Sequence, residues 1–120
     1  GLEHRFPLLG FVEHAEQSAR LVFLGSQDPQ ISTLSRALAV EYAPFGIRVN
    51  YLTPGFIDTA LTSRVLRNPA ISKALLERTP ARRFGTPDDV ARAALFLLSD
   101  DAAFITGAGL AVDGGMAAGL

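Results

Sequence analysis

Apolar and polar positions follow two rhythms along this chain. "ARLVFLGS" (19–26) is a short, continuous apolar run ended by Gly25-Ser26, which predicts a strand buried on both faces. Upstream, "FPLLGFVEHAEQ" reads as a helix interrupted by Gly10. Downstream, Asp28 and Pro29 read as the N-cap and first residue of a helix, because proline has no N–H to leave unpaired in the first turn. Ile31, Leu34, Leu38 and Tyr42 then recur on one face at helical spacing, and Pro44 and Gly46 stop the helix. A strand over 47–53 ends at Pro54-Gly55. Two short helices follow, over about 59–67 and 69–78, divided by Asn68-Pro69.

The strongest local signature is "GTPDDVARAALFLL". Thr86 is the N-cap, Pro87 the first helical residue, and Asp88 and Asp89 face the positive end of the helix dipole. Val90, Ala94, Leu97 and Leu98 make its apolar stripe. "GLAVDGG" (109–115) closes the chain with a short strand and a turn. Strands separated by helix-length crossovers predict a parallel α/β sheet in a single domain over 1–120, with about three strands and flanking helices.

Composition narrows this reading without changing it. A hydrophobic share of 48% against 19% charged residues argues for an ordered core. The formal net charge of -1 gives no case for nucleic acid or an anionic membrane as partner. No run is long and apolar enough for a membrane span, and the N-terminus lacks the pattern of a signal peptide, so a cytoplasmic location is expected. Cysteine is absent, which excludes disulfides and thiolate metal sites. His4 and His14 lack the helical spacing of a metal-binding pair, so no metal ligand is expected. The eleven basic residues include a single lysine, Lys73.

Taken together, "LSRALAVEYAPFGIRVNYLTPGFIDTALT" and "RRFGTPDDVARAALFLLSDDAAFITGAGLAVDGG" resemble the C-terminal half of a short-chain dehydrogenase/reductase. The likeness runs from about Ile31 to Gly115, and residues 1–30 are atypical. It implies part of a doubly wound, Rossmann-like sheet, whose fifth, sixth and seventh strands these would be. It also implies NAD or NADP as cofactor. The turn after the sixth strand then faces the nicotinamide, in keeping with ligands lying at the carboxyl ends of strands in open α/β sheets. By the resemblance Pro54 and Gly55 shape that turn, and Ile57 offers its backbone N–H to the carboxamide. Thr59 bonds the carboxamide or a phosphate, while Arg48 and Asn50 are structural.

The family's Tyr-x-x-x-Lys is missing. Tyr42 is followed four residues on by Gly46 and Tyr51 by Gly55, while Pro69 lies four before Lys73. Without a lysine to depress its pKa, no phenol is prepared to exchange a proton as a hydride moves. No catalytic residue is therefore assigned. One alignment puts Leu24 and Asp28 in the places of the tyrosine and lysine. The other treats "RLVFLGS" as the fifth strand, with Ser26 at the place of the serine that polarises the substrate carbonyl and the tyrosine's stretch lost after it. The strand pattern favours the second. The Gly-rich phosphate loop is also absent, since Gly107-Ala108-Gly109 precedes a strand instead of following one and reads as a bend.

The expected function is thus an oxidoreductase-family protein that is not catalytic as this chain alone. The alternative is a non-catalytic oligomerisation or interaction module. The isolated chain is expected to hold no dinucleotide and to form a homo-oligomer. The route would be 21–25 pairing across a two-fold axis at an edge left without its neighbour, or helix 30–43 packing on its copy. A Val22→Lys change would then probe the edge. The apolar residues of 58–80 (Leu61, Val65, Leu66, Ile71, Leu75 and Leu76) fit either a substrate pocket or core packing.

Overall fold

A computed structural model describes residues 11–15, 18–25 and 28–119, with side chains from Arg20 onward. Its strands are β1 (Phe11–Ala15), β2 (Ser18–Leu24), β3 (Arg48–Pro54) and β4 (Gly109–Val112), and its helices α1 (Pro29–Tyr42), α2 (Ser63–Leu66), α3 (Pro69–Glu77) and α4 (Pro87–Leu98). They form one four-stranded sheet in the order β1-β2-β3-β4. β2, β3 and β4 run parallel, as the pattern predicts. β1 runs antiparallel to β2, with Phe11 opposite Val22 and Ala15 opposite Ser18.

β1 corrects two expectations. Residues 11–15 are a strand, not part of a helix; the remainder of that predicted helix, 6–10 and 16–17, lies outside the described residues. The edge of β2 is also not left without a neighbour. Its backbone N–H and C=O groups need partners, and a short antiparallel return supplies them at little loop-closure cost.

The sheet is covered on both faces. Leu21, Phe23 and Val49 pack against Leu38 and Ala39 of α1, with Ile31 and Tyr42 beside them. Val22 and Leu52 pack on the other face against Ala94, Leu97 and Leu98 of α4. This is why 21–23 reads as continuous rather than alternating: successive side chains point to opposite faces, and both faces are dry.

α1 begins as predicted, the Asp28 carboxylate accepting the Gln30 N–H at 2.9 Å with Pro29 in the first turn. Its buried stripe is turned from the predicted one. Leu34 is 43% exposed, while Ser35 is fully buried, its hydroxyl donating to the Ile31 carbonyl at 2.7 Å. Gly25 lets the helix approach, since a Cβ there would stand 2.8 Å from the Ile31 side chain. The start of α1 at Pro29 bears on the residues that the first alignment pairs. Leu24 ends a strand and Asp28 caps a helix, so the two do not share a helical turn. Ser26 lies outside the described residues.

The structural role expected of Arg48 and Asn50 is visible in their bonds. Arg48 donates to the carbonyls of Ser99 and Ile105 at 3.0 and 3.1 Å. The Asn50 amide donates to Ile105 O at 3.0 Å and accepts the Ala108 N–H at 3.0 Å. Between them the Val49 N–H donates to the Thr106 hydroxyl at 3.1 Å. Gly107 is the predicted bend, with φ +72° and its N–H on Val49 O at 2.7 Å. β3 thus clamps the loop that delivers β4.

Candidate functional site

The carboxyl end of β3 meets two other segments. Gly55 N–H donates to Val112 O at 3.0 Å, continuing the β3–β4 ladder by one bond. A Cβ on Gly55 would sit 2.8 Å from both Cα and Cβ of Asp113, so only glycine lets the strands close here. The chain then bridges Gly85 through Ile57: Gly85 N–H donates to Phe56 O at 2.9 Å and Asp58 N–H to Gly85 O at 2.8 Å.

This bridge aims the Ile57 peptide groups. Neighbouring residues alternate in the direction of their N–H and C=O, so with 56 and 58 spent on Gly85, those of Ile57 point the other way. Its carbonyl accepts the Thr62 hydroxyl at 2.6 Å, and its N–H has no acceptor among the described residues. Thr62 Oγ1 also accepts the Thr59 N–H at 2.9 Å and lies 3.1 Å from Thr59 Oγ1, which in turn accepts the Thr62 N–H at 3.2 Å. Because Thr62 gives its one proton to Ile57, the Thr59 hydroxyl donates to Thr62. These side-chain bonds replace helical ones, which is why α2 covers only 63–66 of the predicted 59–67. Sequence reading missed Thr62; its signal was a second threonine three residues after Thr59.

The other predicted groups lie apart. Tyr51 stacks its ring over Gly109, Tyr42 packs at 6.2 Å on Phe45, and Lys73 is exposed on α3. Beyond the turn, Leu61 is 91% exposed, and Val65 and Ile71 are exposed as well, so core packing does not explain them. Among the described residues no three His, Cys, Asp or Glu side chains are placed to hold a metal, and no helix is long and apolar enough to cross a membrane. His4 lies outside the described residues, and His14 is on β1 opposite Ala19.

A cavity of about 270 Å³ opens on the β4 side of the turn, lined by Phe56, Ile57, Thr79, Arg83, Gly85 and Asp113 among others. Its charges are already satisfied. Asp113 accepts the N–H groups of Gly115 and Ala117, and Arg83 pairs with Asp89 at 2.9 Å. Asp89 also completes a capping box, its carboxylate accepting the Thr86 N–H at 2.9 Å while Thr86 Oγ1 accepts the Asp89 N–H at 3.2 Å. The Arg83 hydrogen bond first, then that of the Thr86 backbone, holds the Asp89 carboxyl well below the usual carboxylate range. A depressed native pKa gives stability that is complete above the unfolded value, about 3.9, and is lost as pH falls below it through the native value. Asp89→Asn should therefore lower the melting temperature at neutral pH and flatten its acid-side decline. An unchanged slope in pH-dependent thermal melts would refute the pairing.

Three parallel strands covered by helices on both faces, with a bridged Pro-Gly turn at the carboxyl end of β3, define an open α/β architecture of the doubly wound kind. Comparison with known proteins gives it a family. Residues 29–117 match the family model described as Enoyl-(Acyl carrier protein) reductase. Galactitol 2-dehydrogenase (L-tagatose-forming) of Cereibacter sphaeroides is 47% identical over 71% of this chain and 34% of its own length. Inactive 2-(S)-hydroxypropyl-CoM dehydrogenase 2 of Xanthobacter autotrophicus is 46% identical over 73% of this chain and 40% of its own length. A crystal structure of a putative 2-deoxy-D-gluconate 3-dehydrogenase from Agrobacterium tumefaciens with bound NADP superposes with a TM-score of 0.80 at 37% identity, covering 84% of this chain and 47% of that one. The chain belongs to the short-chain dehydrogenase/reductase family of oxidoreductases. It spans between a third and a half of the lengths of these relatives.

Proposed function

We propose that this chain is a cytoplasmic NAD(P)-dependent oxidoreductase relative that keeps the nicotinamide-facing turn but neither binds the dinucleotide tightly nor turns it over by itself. The observation that carries the reading is the Ile57 N–H, aimed away from Gly85 at the carboxyl end of a central strand and left without a protein acceptor among the described residues. Such a donor suits the carbonyl of a carboxamide. Pro54 and Gly55 set its position, and Thr59, whose proton goes to Thr62, keeps an oxygen lone pair for an amide N–H. The cofactor, when bound, supplies hydride transfer. The residues that fit it cover only its nicotinamide end, since the sequence has no Gly-rich phosphate loop after a strand.

Nor is a tyrosine and lysine pair placed to act as proton donor among the described residues. β2 ends at Leu24 and α1 starts at Pro29, so no helical turn between them could carry the tyrosine and lysine together. Calorimetric titration with NADH and NADPH should give no low-micromolar binding, and assays of alcohol oxidation should give no turnover. A dissociation constant in the low micromolar range would overturn the reading.

One observation favours a homo-oligomeric interaction module as a second reading. Leu110 and Val112 bond β3, so Gly109 and Ala111 turn their N–H and C=O groups to the outer edge of β4. That edge carries no charge, and Leu95 and Phe96 of α4 are exposed. An open apolar edge of this kind favours pairing with a second copy. Light scattering that gives a mass of 12.8 kDa at tens of micromolar would exclude it.

A further inference from the structure

We propose that β1 is an edge-closing strap, which keeps β2 from pairing with any other chain, including one bearing the rest of a family sheet. The assignment rests on the family membership and the sheet topology, independently of the reading of the 54–59 turn. β2 is the strand after which this chain's parallel sheet would continue in a longer relative. Here that side is taken by an antiparallel strand from the same chain. An antiparallel strand cannot be extended in register as the family's parallel sheet is, so completion in trans through β2 requires β1 to leave.

The hydrogen-bond pattern says which groups the strap holds. Gly25 N–H donates to Leu52 O at 2.9 Å, so residues 21, 23 and 25 direct their backbone groups to β3. By alternation, Arg20, Val22 and Leu24 direct theirs to the β1 side. The Phe11–Val22, Glu13–Arg20 and Ala15–Ser18 positions are then the hydrogen-bonded pairs of the antiparallel ladder. Without β1, β2 would present a row of free donors and acceptors along an uninterrupted apolar run, and such edges associate.

Site-resolved amide exchange on the full chain tests the strap and carries its own control. In the wild type, the Arg20 and Val22 amides (facing β1) and the Leu21 and Phe23 amides (facing β3) should both be protected. Glu13→Pro removes a donor to β2. It should raise exchange at Arg20 and Val22 at least about tenfold, the factor that 1.4 kcal/mol of lost local protection represents. Leu21 and Phe23 should keep their protection, and the light-scattering mass should rise above that of the wild type at the same concentration. Glu13→Thr, which keeps the N–H, should behave as wild type. Fast exchange at Val22 in the wild type would overturn the proposal. So would an unchanged Val22 amide in Glu13→Pro, or exposure of the edge without a gain in mass. Loss of protection at Leu21 and Phe23 as well would show that β1 is needed for the fold and is no separable strap, which also overturns it.

Discussion

Val22→Lys is expected to unfold the protein. Val22 is fully buried, and its side chain packs among Leu52, Ala94, Leu97 and Leu98 between the sheet and α4. Among the described residues packed there, none is a carboxylate that could pair with an ammonium group. It must be buried charged, give up its proton or open the core, and each route is costly. A loss of about 4 kcal/mol or more is expected, the size reserved for unpaired charges in a core. That is a large part of the 5–15 kcal/mol that holds ordinary domains together, roughly. Denaturant titration followed by circular dichroism should show the transition moved to very low denaturant or gone. An unchanged midpoint would mean that residue 22 faces water and that the β2 register is displaced by one residue, since a one-residue slip exchanges the faces. The change is therefore no probe of edge pairing: what is exposed at a strand's edge is backbone, and this side chain is at the centre.

Asn50→Leu should be the next most damaging substitution. Asn50 is buried, and among the described residues its side-chain oxygen is the only acceptor for the Ala108 N–H and its amide one of two donors to Ile105 O. Leucine has nearly the same size, so the change removes hydrogen bonds without opening a large cavity. Arg48 still serves Ile105 O, so one orphaned backbone N–H and one lost bond remain, together about 2–3 kcal/mol. Combined with Arg48→Ala the loss should exceed the sum of the two, because then nothing donates to Ile105 O. Additive losses in a denaturant double-mutant cycle would show that the two side chains act separately.

The parts of the fold legible in the sequence were those in which a local signal and the tertiary structure agree. Thr86-Pro87 with Asp89 announced α4 because the capping box is built within four residues, and Val90, Ala94, Leu97 and Leu98 fall on the buried face. Asp28-Pro29 worked in the same way for α1. Leu34 misled because helical spacing gives a stripe only to within a residue or so. Ser35 enters the core by returning its hydroxyl to Ile31, so a polar letter stood at an apolar position. β1 was illegible for a different reason: five residues with charged and apolar side chains mixed become a strand only because β2 has an edge to fill. In the candidate site, Pro54, Gly55 and Ile57 were found through a family likeness. The direction of the Ile57 peptide was not legible, since Gly85, far along the chain, sets it. Thr62 belongs to the same class, being visible as a letter but not as the group that takes up the Thr59 proton.

The clamp of β3 on the 99–108 loop also bears on how the chain assembles. β1 and β2 are consecutive and β3 returns after a single helix, whereas β4 arrives only after α2, α3 and α4. Closing the longer loop costs more entropy, so the first three strands and α1 can form a nucleus before β4 adds to it. On that order, Arg48, Val49 and Asn50 would make their bonds to that loop in the closing step. Weakening them is then expected to accelerate unfolding and leave the rate of refolding nearly unchanged, so that the C-terminal strand would set the lifetime of a fold that begins elsewhere.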